Sequence, residues 1–324
     1  MNRLAARRAV ALVLVLLGAC CLIPVGIRAQ QVQPLCTDAS RACLVATATT
    51  YIDALTRHDA SKVPFAPDIR RTEQNRESAT SESFIRQHTI TQPDMEGHIG
   101  DRFFVDPETG NVVVFTRLRV PGKVNPRRPP APAPPPTTVH LAERFKVAHG
   151  LIQEIEAIFV RQEGTMDGPT NWPSASTAGP VQPGRVQPRC ADASRTCLVA
   201  AAQSYFDGIV AQNSSQVPFA ANVRRTLDVS IVEGEDQLRH FLDHEEPPMA
   251  FHRSRYFVDR DQGTVVVYTT ILITGDRKGG TQQVTSRVAD RIRIENGYIV
   301  EIEGMVFGES DSSAPYWARP MWPD

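Results

Sequence analysis

Aromatic residues, cysteines and any excess of one charge are scarce in this sequence. Of 324 residues, 7% are aromatic, six are cysteines, and 35 basic side chains stand against 36 acidic ones. Six cysteines are too few to act as the disulfide scaffold of a chain this long. The near balance of charge gives no sign of a surface for nucleic acid or anionic membranes. The sequence also contains no glycine-rich phosphate loop, nucleophile elbow or catalytic cysteine motif.

The first 29 residues have the pattern of a secretory signal peptide. Basic residues precede an apolar run from Ala9 to Val25, and the small residue Ala29 offers a cleavage site. We predict cleavage after Ala29 and a secreted or periplasmic protein; the alternatives are an uncleaved anchor and a lipoprotein attached through Cys20. Because the removed segment holds four arginines and no acidic residue, the mature chain would have a formal charge of −5 and four cysteines.

The mature chain repeats itself at an offset of about 150 residues. Cys36–Thr72 is identical to Cys190–Thr226 at 20 of 37 positions, and Arg102–Asp106 matches Arg255–Asp259. A period of this length indicates a duplicated domain, since solenoid units run about 20–50 residues. The predicted bounds are 31–163 for the first repeat, with a proline-rich insert at 121–136, then a linker at 164–185 and a second repeat at 186–324.

Each repeat has the pattern of an α+β fold. Apolar residues recur at helical spacing from Leu44 to Leu55, and a second, weaker helix is predicted over about Glu82–His88. Strand patterns then flank two turns, at Asp106–Gly110 and Ala148–Gly150. A long helix, a short helix and an antiparallel sheet are therefore expected in that order.

The four remaining cysteines form two local pairs in sequence. Cα atoms seven residues apart in one helix would be separated by roughly 10 Å, whereas a disulfide requires less than about 7 Å. A bonded pair would therefore need its first cysteine to precede the helix and fold back. Three connectivities are open, and recurrence favours Cys36–Cys43 and Cys190–Cys197; the alternative, a zinc site, fits no common finger spacing.

Several short motifs resemble the nuclear-transport-factor-2-like superfamily, which includes SnoaL-like cyclases, ketosteroid isomerases and scytalone dehydratase. They are Tyr51–Ala54, His58-Asp59, Val63–Asp68 and the Gly-x-Ile turns at Gly150 and Gly297. The resemblance covers nearly all of both repeats. It implies two curved antiparallel sheets, each wrapped around N-terminal helices as a cone with one pocket. The two-cysteine opening resembles a secreted subgroup with no assigned reaction.

Strand alternation places one carboxylate in the middle of an apolar face in each repeat: Glu143 and Asp290. A lone buried carboxylate costs several kcal/mol unless it is paired or protonated. Its pKa should rise, which suits a general acid or a hydrogen-bond donor. By the resemblance, both residues stand where ketosteroid isomerases have a pocket aspartate. The alternative is a core salt bridge to an arginine such as Arg71 or Arg225.

Tyr51 and Tyr205 occupy the first-helix position at which the superfamily often has a pocket tyrosine. A tyrosine hydroxyl beside a protonated carboxyl would form an oxyanion site, and the alternative is a core aromatic ring. Arg71 and Arg225 are candidates to bind an anionic substrate or to form salt bridges within each repeat. Two further aromatic residues are predicted to line the ligand pockets: Phe104 and Phe257.

A shared general base is harder to find. Glu73 lies near the segment where ketosteroid isomerases have theirs, but its counterpart is Leu227, which puts proton shuttling by the second repeat in doubt. His88 and His240 are the candidate pocket bases. His240 and His244 have a metal-compatible spacing, but no third ligand is evident, so no metal is predicted.

Three classes of function remain. One is lyase, isomerase or hydratase chemistry on a small hydrophobic molecule, without cofactor. The alternatives are non-catalytic binding of such a molecule and a structural or protein-interaction role. The recurring tyrosine and carboxylate disfavour a purely structural role, and the lack of a shared base disfavours catalysis. As partners we expect a small hydrophobic molecule and either an intramolecular pair of repeats or a homo-oligomer, with no nucleic acid and no membrane after signal cleavage.

Overall fold

The computed structural model describes residues 32–74, 76–91, 95–122, 135–163, 179–227, 230–245, 249–277 and 280–308. The predicted signal peptide with Cys20 lies outside these residues, as do most of the proline-rich insert and the greater part of the predicted linker. The described residues form two α+β repeats with the same order of elements.

The first repeat begins with a long helix and ends with two long hairpins. A short helix and a π-helical turn lie between them. The elements are α1 (Arg41–Arg57), β1 (Phe65–Glu73), β2 (Arg76–Ala79), α2 (Glu82–Phe84), the first π turn (Ile85–Thr91), β3 (Gly97–Asp106), β4 (Asn111–Val120), β5 (Thr137–Ala148) and β6 (Leu151–Glu163).

The second repeat has the same series of elements. They are α3 (Arg195–Ala211), β7 (Phe219–Leu227), β8 (Ser230–Glu233), α4 (Glu235–His240), the second π turn (Phe241–Glu245), β9 (Met249–Asp259), β10 (Thr264–Arg277), β11 (Gly280–Glu295) and β12 (Tyr298–Gly308). The predicted helices and hairpins are therefore confirmed in both repeats.

Each repeat forms one six-stranded sheet, in the orders β2-β1-β6-β5-β4-β3 and β8-β7-β12-β11-β10-β9. The α+β class is confirmed, but the sheets are mixed rather than antiparallel throughout, because β1 pairs with β6, and β7 with β12, in parallel. The strands β1 and β2 and their counterparts β7 and β8 were not predicted from the sequence. Pro67 in β1 cannot donate a ladder hydrogen bond. The register shift between Phe65 and Arg70 recurs between Phe219 and Arg224, where Ala221 replaces Pro67, so the proline is not its cause.

Both long helices are capped by side chains and end in a left-handed residue. Ser40 accepts a hydrogen bond from the Cys43 amide, and Ser194 caps the second helix in the same way. The helices end at His58 (φ 55°) and Gln212 (φ 47°). The α1 face that packs into the core contains Leu44, Ala48, Tyr51, Ile52 and Leu55.

Two disulfides tie the segment before each long helix to its first turn. Cys36 bonds Cys43 with a Cα–Cα distance of 5.7 Å, and Cys190 bonds Cys197 at 5.8 Å, which confirms the predicted connectivity. Such bonds indicate an oxidising compartment. No helix in the part of the chain that the structure describes is long and apolar enough for a membrane span.

The same segments press against the last hairpin of each repeat. Gly150 has φ +70°, and a Cβ there would lie 1.8 Å from the carbonyl oxygen of Cys36. Gly297 has φ +81°, and a Cβ there would lie 2.0 Å from the carbonyl oxygen of Cys190. Both glycines are thus required by backbone conformation and by close approach.

The two faces of each sheet bury different partners. One face packs on the helices of its own repeat and forms that repeat's main core. The other faces of the two sheets pack on each other and share one apolar cluster. Its buried members are Phe104, Val113, Phe115, Ala142 and Ile158 of the first repeat, with Phe257, Val266, Tyr268, Ala289 and Met305 of the second.

Candidate functional site

Three side chains predicted from sequence meet in the core of the first repeat. Tyr51 comes from α1, Arg71 from β1 and Glu143 from β5. The Tyr51 hydroxyl donates to Glu143 Oε1 at 3.3 Å, and Arg71 Nε donates to the Tyr51 oxygen at 3.3 Å. Arg71 Nη2 lies 3.5 Å from Glu143 Oε1. The predicted salt bridge and the predicted tyrosine–carboxylate pair are therefore parts of one cluster.

The carboxylate of this cluster is only half satisfied. Glu143 has no exposed surface, and its Oε2 atom has no hydrogen-bond partner among the described residues. Burial raises the pKa of Glu143 to about 7, against the opposing pull of the Arg71 charge. Arg71 is shared with Glu73 and with Ser78, to whose Oγ it donates at 3.1 Å. Near neutral pH, Glu143 can therefore hold a proton and donate it in a hydrogen bond.

Glu143 borders a cavity of about 400 Å³ between the sheet and the short helix. The wall is mostly apolar, and its polar groups converge at the Glu143 end and at the opening. The apolar lining residues are Leu55, Met95, Leu118, Leu141 and Phe159.

The opening contains the candidate base of the first repeat. His88 lies on the first π turn, is exposed, and stacks on Phe84 with ring centroids 4.4 Å apart. Glu73, whose side chain is 40% exposed, also borders the cavity. The structure thus brings His88, Glu73 and Glu143 to one cavity, with Glu143 inside and the other two nearer solvent.

The second repeat keeps the tyrosine and the arginine of the cluster. Arg225 Nε donates to the Tyr205 hydroxyl at 2.9 Å, and Asp290 is buried on β11. The residue opposite the carboxylate differs, because Ala157 pairs with Glu143 and Gly304 pairs with Asp290. A Cβ at Gly304 would lie 2.4 Å from Asp290 Oδ1. The shorter aspartate therefore lies directly over β12, in space that only a glycine leaves free.

Aromatic rings occupy the interior of the second repeat. Phe206 packs on Phe251 with centroids 4.9 Å apart, and the Arg225 guanidinium lies 4.8 Å from the centroid of Phe241. Arg86 donates a hydrogen bond to the carbonyl group of Val63, and Arg239 donates one to the carbonyl group of Val217. Because these contacts are equivalent, they align the two π turns residue by residue. By the repeat alignment and these contacts, the first-repeat counterparts of the three phenylalanines are Ile52, His98 and His88.

The other predicted residues lie outside these clusters. Phe104 and Phe257 are on the opposite faces of their sheets and pack between the repeats. The structure therefore does not bring them together with the tyrosine–arginine–carboxylate groups. His240 has a 65% exposed side chain and lies beside His244, with ring centroids 4.9 Å apart. Within the described ranges, no group of three or more His, Cys, Asp or Glu side chains is arranged to hold a metal ion.

A buried ionic network that was not predicted from the sequence lies between the sheets. Glu156 pairs with Arg144 of its own repeat and with Arg255 of the other. Glu303 pairs in the same way with Arg291 and Arg102. A second set joins the first residue of each long helix to the other repeat, Arg41 to Asp259 and Arg195 to Asp106.

These glutamates are ionised although they are buried. Burial alone would raise the pKa of Glu156, but the charges of Arg255 and Arg144 outweigh it and hold that pKa below its usual value. The pKa of Glu303 is lowered by the same balance, with Arg291 and Arg102 opposing burial. Strand alternation places Glu156 and Glu303 opposite Ile155 and Ile302 and predicts a solvated face or a partner contact for them. A solvated face is wrong, because both side chains are buried between the two repeats of this chain. The recurring Glu-x-Glu at the end of each repeat was the available signal.

Comparison with known proteins identifies the family of both repeats. The model of the family described as Domain of unknown function (DUF8021) matches residues 37–159 and 191–306. The chain belongs to this family. A search of curated proteins finds no significant match.

Solved structures that are similar to this chain include the following three proteins. One is a protein of unknown function with a cystatin-like fold from Methylobium petroleophilum PM1 (15% identity, 38% of this chain and 83% of that chain, TM-score 0.31). Another is an NTF2-like protein from Burkholderia xenovorans LB400 (11%, 35% and 92%, 0.30). A third is a SnoaL-like protein from Jannaschia sp. CCS1 (17%, 39% and 92%, 0.29). At these scores the matches carry no information about activity.

Proposed function

We propose that the first repeat is a binding pocket for a small, largely apolar molecule, in a secreted protein that uses no cofactor. The observation that carries the proposal is the half-satisfied carboxylate: Glu143 Oε2 is buried, has no partner among the described residues, and belongs to a side chain that borders the cavity. Leaving a buried polar atom unpaired costs about 1–3 kcal/mol. A carbonyl or hydroxyl oxygen of a ligand would accept a hydrogen bond from protonated Glu143 and remove that cost.

The size and chemistry of the cavity support this role. At about 400 Å³ it falls within the range of small-molecule sites, which is roughly 300–1,000 Å³. Its wall is mostly apolar with a few convergent polar groups, the arrangement that such sites usually have. The two disulfides support secretion, since such bonds persist in oxidising compartments.

In this proposal the second repeat is a structural partner. Phe206 and Phe251 take up space inside it that smaller or polar residues leave free in the first repeat. The two repeats form an intramolecular pair through the shared apolar cluster and the ionic network around Glu156 and Glu303. That pairing covers the sheet faces that a separate copy would otherwise contact.

A second candidate function is acid catalysis of a lyase, isomerase or hydratase reaction in the same cavity. It is favoured by the pKa of Glu143, which burial raises to about 7, where a general acid is most effective. The Tyr51 hydroxyl beside Glu143 would help to stabilise a developing oxyanion. His88 and Glu73, which are nearer solvent than Glu143, would be the bases.

Binding is tested with N-phenyl-1-naphthylamine, a neutral fluorescent probe of apolar cavities. We expect one probe per chain, and Leu141→Phe, which fills the cavity wall, should weaken binding about tenfold, or about 1.4 kcal/mol. The matched variant Val288→Phe, at the equivalent strand position of the second repeat, should leave probe affinity unchanged. Binding that is unaffected by Leu141→Phe, or no binding, would refute the pocket.

Catalysis is tested on ligands recovered from the purified protein by mass spectrometry. If the protein is an acid catalyst, incubation with excess recovered ligand should change its structure, and Glu143→Gln should abolish the change while retaining probe binding. Recovery of an unaltered ligand after incubation supports the binding role alone.

A further inference from the structure

The cavity of the first repeat has a second polar group, at its open end. Arg161 on β6 borders the cavity, and its guanidinium lies 5.7 Å from the centroid of the Phe159 ring. Across the described residues, Arg161 makes no ion pair. By contrast, Arg71 at the inner end is shared among Glu73, Glu143 and Tyr51. Of the two arginines that line the cavity, the one without an ion pair among the described residues is therefore Arg161, at the opening.

Strand register sets the distance between the two polar ends. Glu143 pairs with Ala157 and Val139 pairs with Arg161 across the β5–β6 ladder. Four residues along a strand span about 13 Å at about 3.3 Å per residue. Leu141 and Phe159 stand between the ends and form an apolar middle. The cavity is thus polar at the inner end, apolar in the middle and cationic at the outer end.

We propose that the ligand of the first repeat is an apolar monocarboxylate with a hydroxyl or carbonyl group at its far end. The hydroxyl or carbonyl binds Glu143, the apolar body lies against Leu141 and Phe159, and the carboxylate pairs with Arg161. This assignment rests on the proposed binding function and adds the charge, polarity and length of the ligand. The opposite orientation is disfavoured, since Arg71 already has the Glu73 carboxylate and a second anion there would be repelled.

In the second repeat, the position equivalent to Arg161 is occupied by Gly308. Ser286 pairs with Gly308 at the ladder position where Val139 pairs with Arg161. The recognition of a carboxylate is therefore assigned to the first repeat alone.

The test compares a hydroxy acid with a diol of equal length. ω-Hydroxydecanoate and α,ω-decanediol differ in the carboxylate only, and each is titrated against bound N-phenyl-1-naphthylamine. We expect the acid to displace the probe about three- to tenfold more strongly than the diol, because it gains a charge-assisted pair at a partly exposed site. ω-Hydroxybutanoate, which is too short to reach both ends, should displace it poorly.

Variants assign the preference to one side chain. Arg161→Gln should make the acid and the diol equal while leaving diol and probe affinity unchanged, and Arg161→Lys should restore part of the preference. Lys62→Gln, which removes an exposed cation outside the cavity, should keep the full preference. Equal displacement by acid and diol in the unmodified protein, or a preference that survives Arg161→Gln, overturns the ligand assignment and leaves the pocket proposal intact. Failure of the probe to bind overturns both.

Discussion

The two repeats share a framework and differ in what fills it. Each has the same disulfide, the same capped helix, the same six-stranded order and a buried tyrosine–arginine contact. In the first repeat, the carboxylate of Glu143 borders a cavity of about 400 Å³. In the second, Asp290 lies over Gly304, and phenylalanines take up the interior.

The differences separate residues that maintain the fold from residues suited to bind a ligand. The recurring tyrosine and arginine persist where aromatic rings fill the interior, so they are explained by packing and by hydrogen bonding alone. The residues that differ border the cavity of the first repeat. They are Glu73, His88, Glu143 and Arg161, with Leu227, Phe241, Asp290 and Gly308 as their counterparts.

The largest expected effect is on the buried ionic network, to which each repeat contributes one shared glutamate. Glu156→Gln removes the carboxylate that buried Arg144 shares with partly exposed Arg255, and Glu303→Gln does the same for Arg291 and Arg102. Each substitution should cost about 4–5 kcal/mol in the free energy of unfolding, because a buried arginine loses its shared carboxylate. Denaturant titration at neutral pH measures the loss. The control Glu154→Gln, on a side chain that is 32% exposed, should cost less than about 1 kcal/mol.

The pH dependence of these variants has a definite sign. Because the pKa values of Glu156 and Glu303 are lowered in the folded protein, their stabilisation is present above pH 4.5, the ordinary glutamate pKa, and is lost as pH falls below it. Both variants should therefore lose less stability on acidification than the unmodified protein. Unequal effects of the two substitutions would show that the network is not symmetric in energy.

A slightly smaller effect tests the filled interior of the second repeat. Phe206 is almost fully buried, and Phe206→Ala should destabilise the protein by about 3–4 kcal/mol through loss of packing and creation of a cavity. The new space should admit a second equivalent of N-phenyl-1-naphthylamine. The matched variant Ile52→Ala, at the equivalent position of the first repeat, should remain at one equivalent. A single probe per chain in Phe206→Ala would show that the interior collapses around the deletion.

The third effect concerns the carboxylate of the first repeat. The pKa of Glu143 is raised from 4.5 to about 7 in the folded protein, so folding retains a proton that the unfolded chain releases. As pH rises from 4.5 to 7, the unmodified protein should lose roughly 3 kcal/mol of stability relative to Glu143→Gln. Thermal melts across this range measure the difference. Glu77→Gln, on an exposed strand, should run parallel to the unmodified protein, and a parallel profile for Glu143→Gln would contradict the raised pKa.

The local sequence pattern was enough to predict many of the features that the two repeats share. Helical spacing, period-two alternation and self-similarity predicted the long helices, the hairpins, both disulfides and the burial of Glu143 and Asp290. These features depend on residues close in sequence or on one face of one strand. The same reasoning did not find β1 and β2 or their counterparts β7 and β8, and Pro67 interrupts the strand pattern in β1 alone.

Features that depend on the meeting of distant segments were not predictable. Alternation placed Glu156 on the strand face opposite Ile155, but nothing in one strand indicates that another sheet covers that face. Glu156 was therefore expected at a solvated face or in contact with a partner. Phe104 was predicted to line a ligand pocket, and that prediction also did not foresee that the two sheets pack on each other. The outer cation Arg161 was missed for a related reason, since its relation to Glu143 follows from the β5–β6 register.

The smallest expected effect is the stability lost when either disulfide is removed, and comparing the two losses tests whether the disulfides are equivalent. Each closes a loop of the same seven-residue separation, so replacing either pair by serine should cost about 2–3 kcal/mol in the chain-entropy model. The second repeat has further contacts before its helix, including a 3.1 Å hydrogen bond from the Tyr298 hydroxyl to Gln187. Because the disulfide acts mainly on the unfolded chain, these contacts should not change the loss, and calorimetry of the two double variants should give equal values. A smaller loss for the Cys190–Cys197 pair would show that the folded segment, and not the loop entropy, determines the contribution.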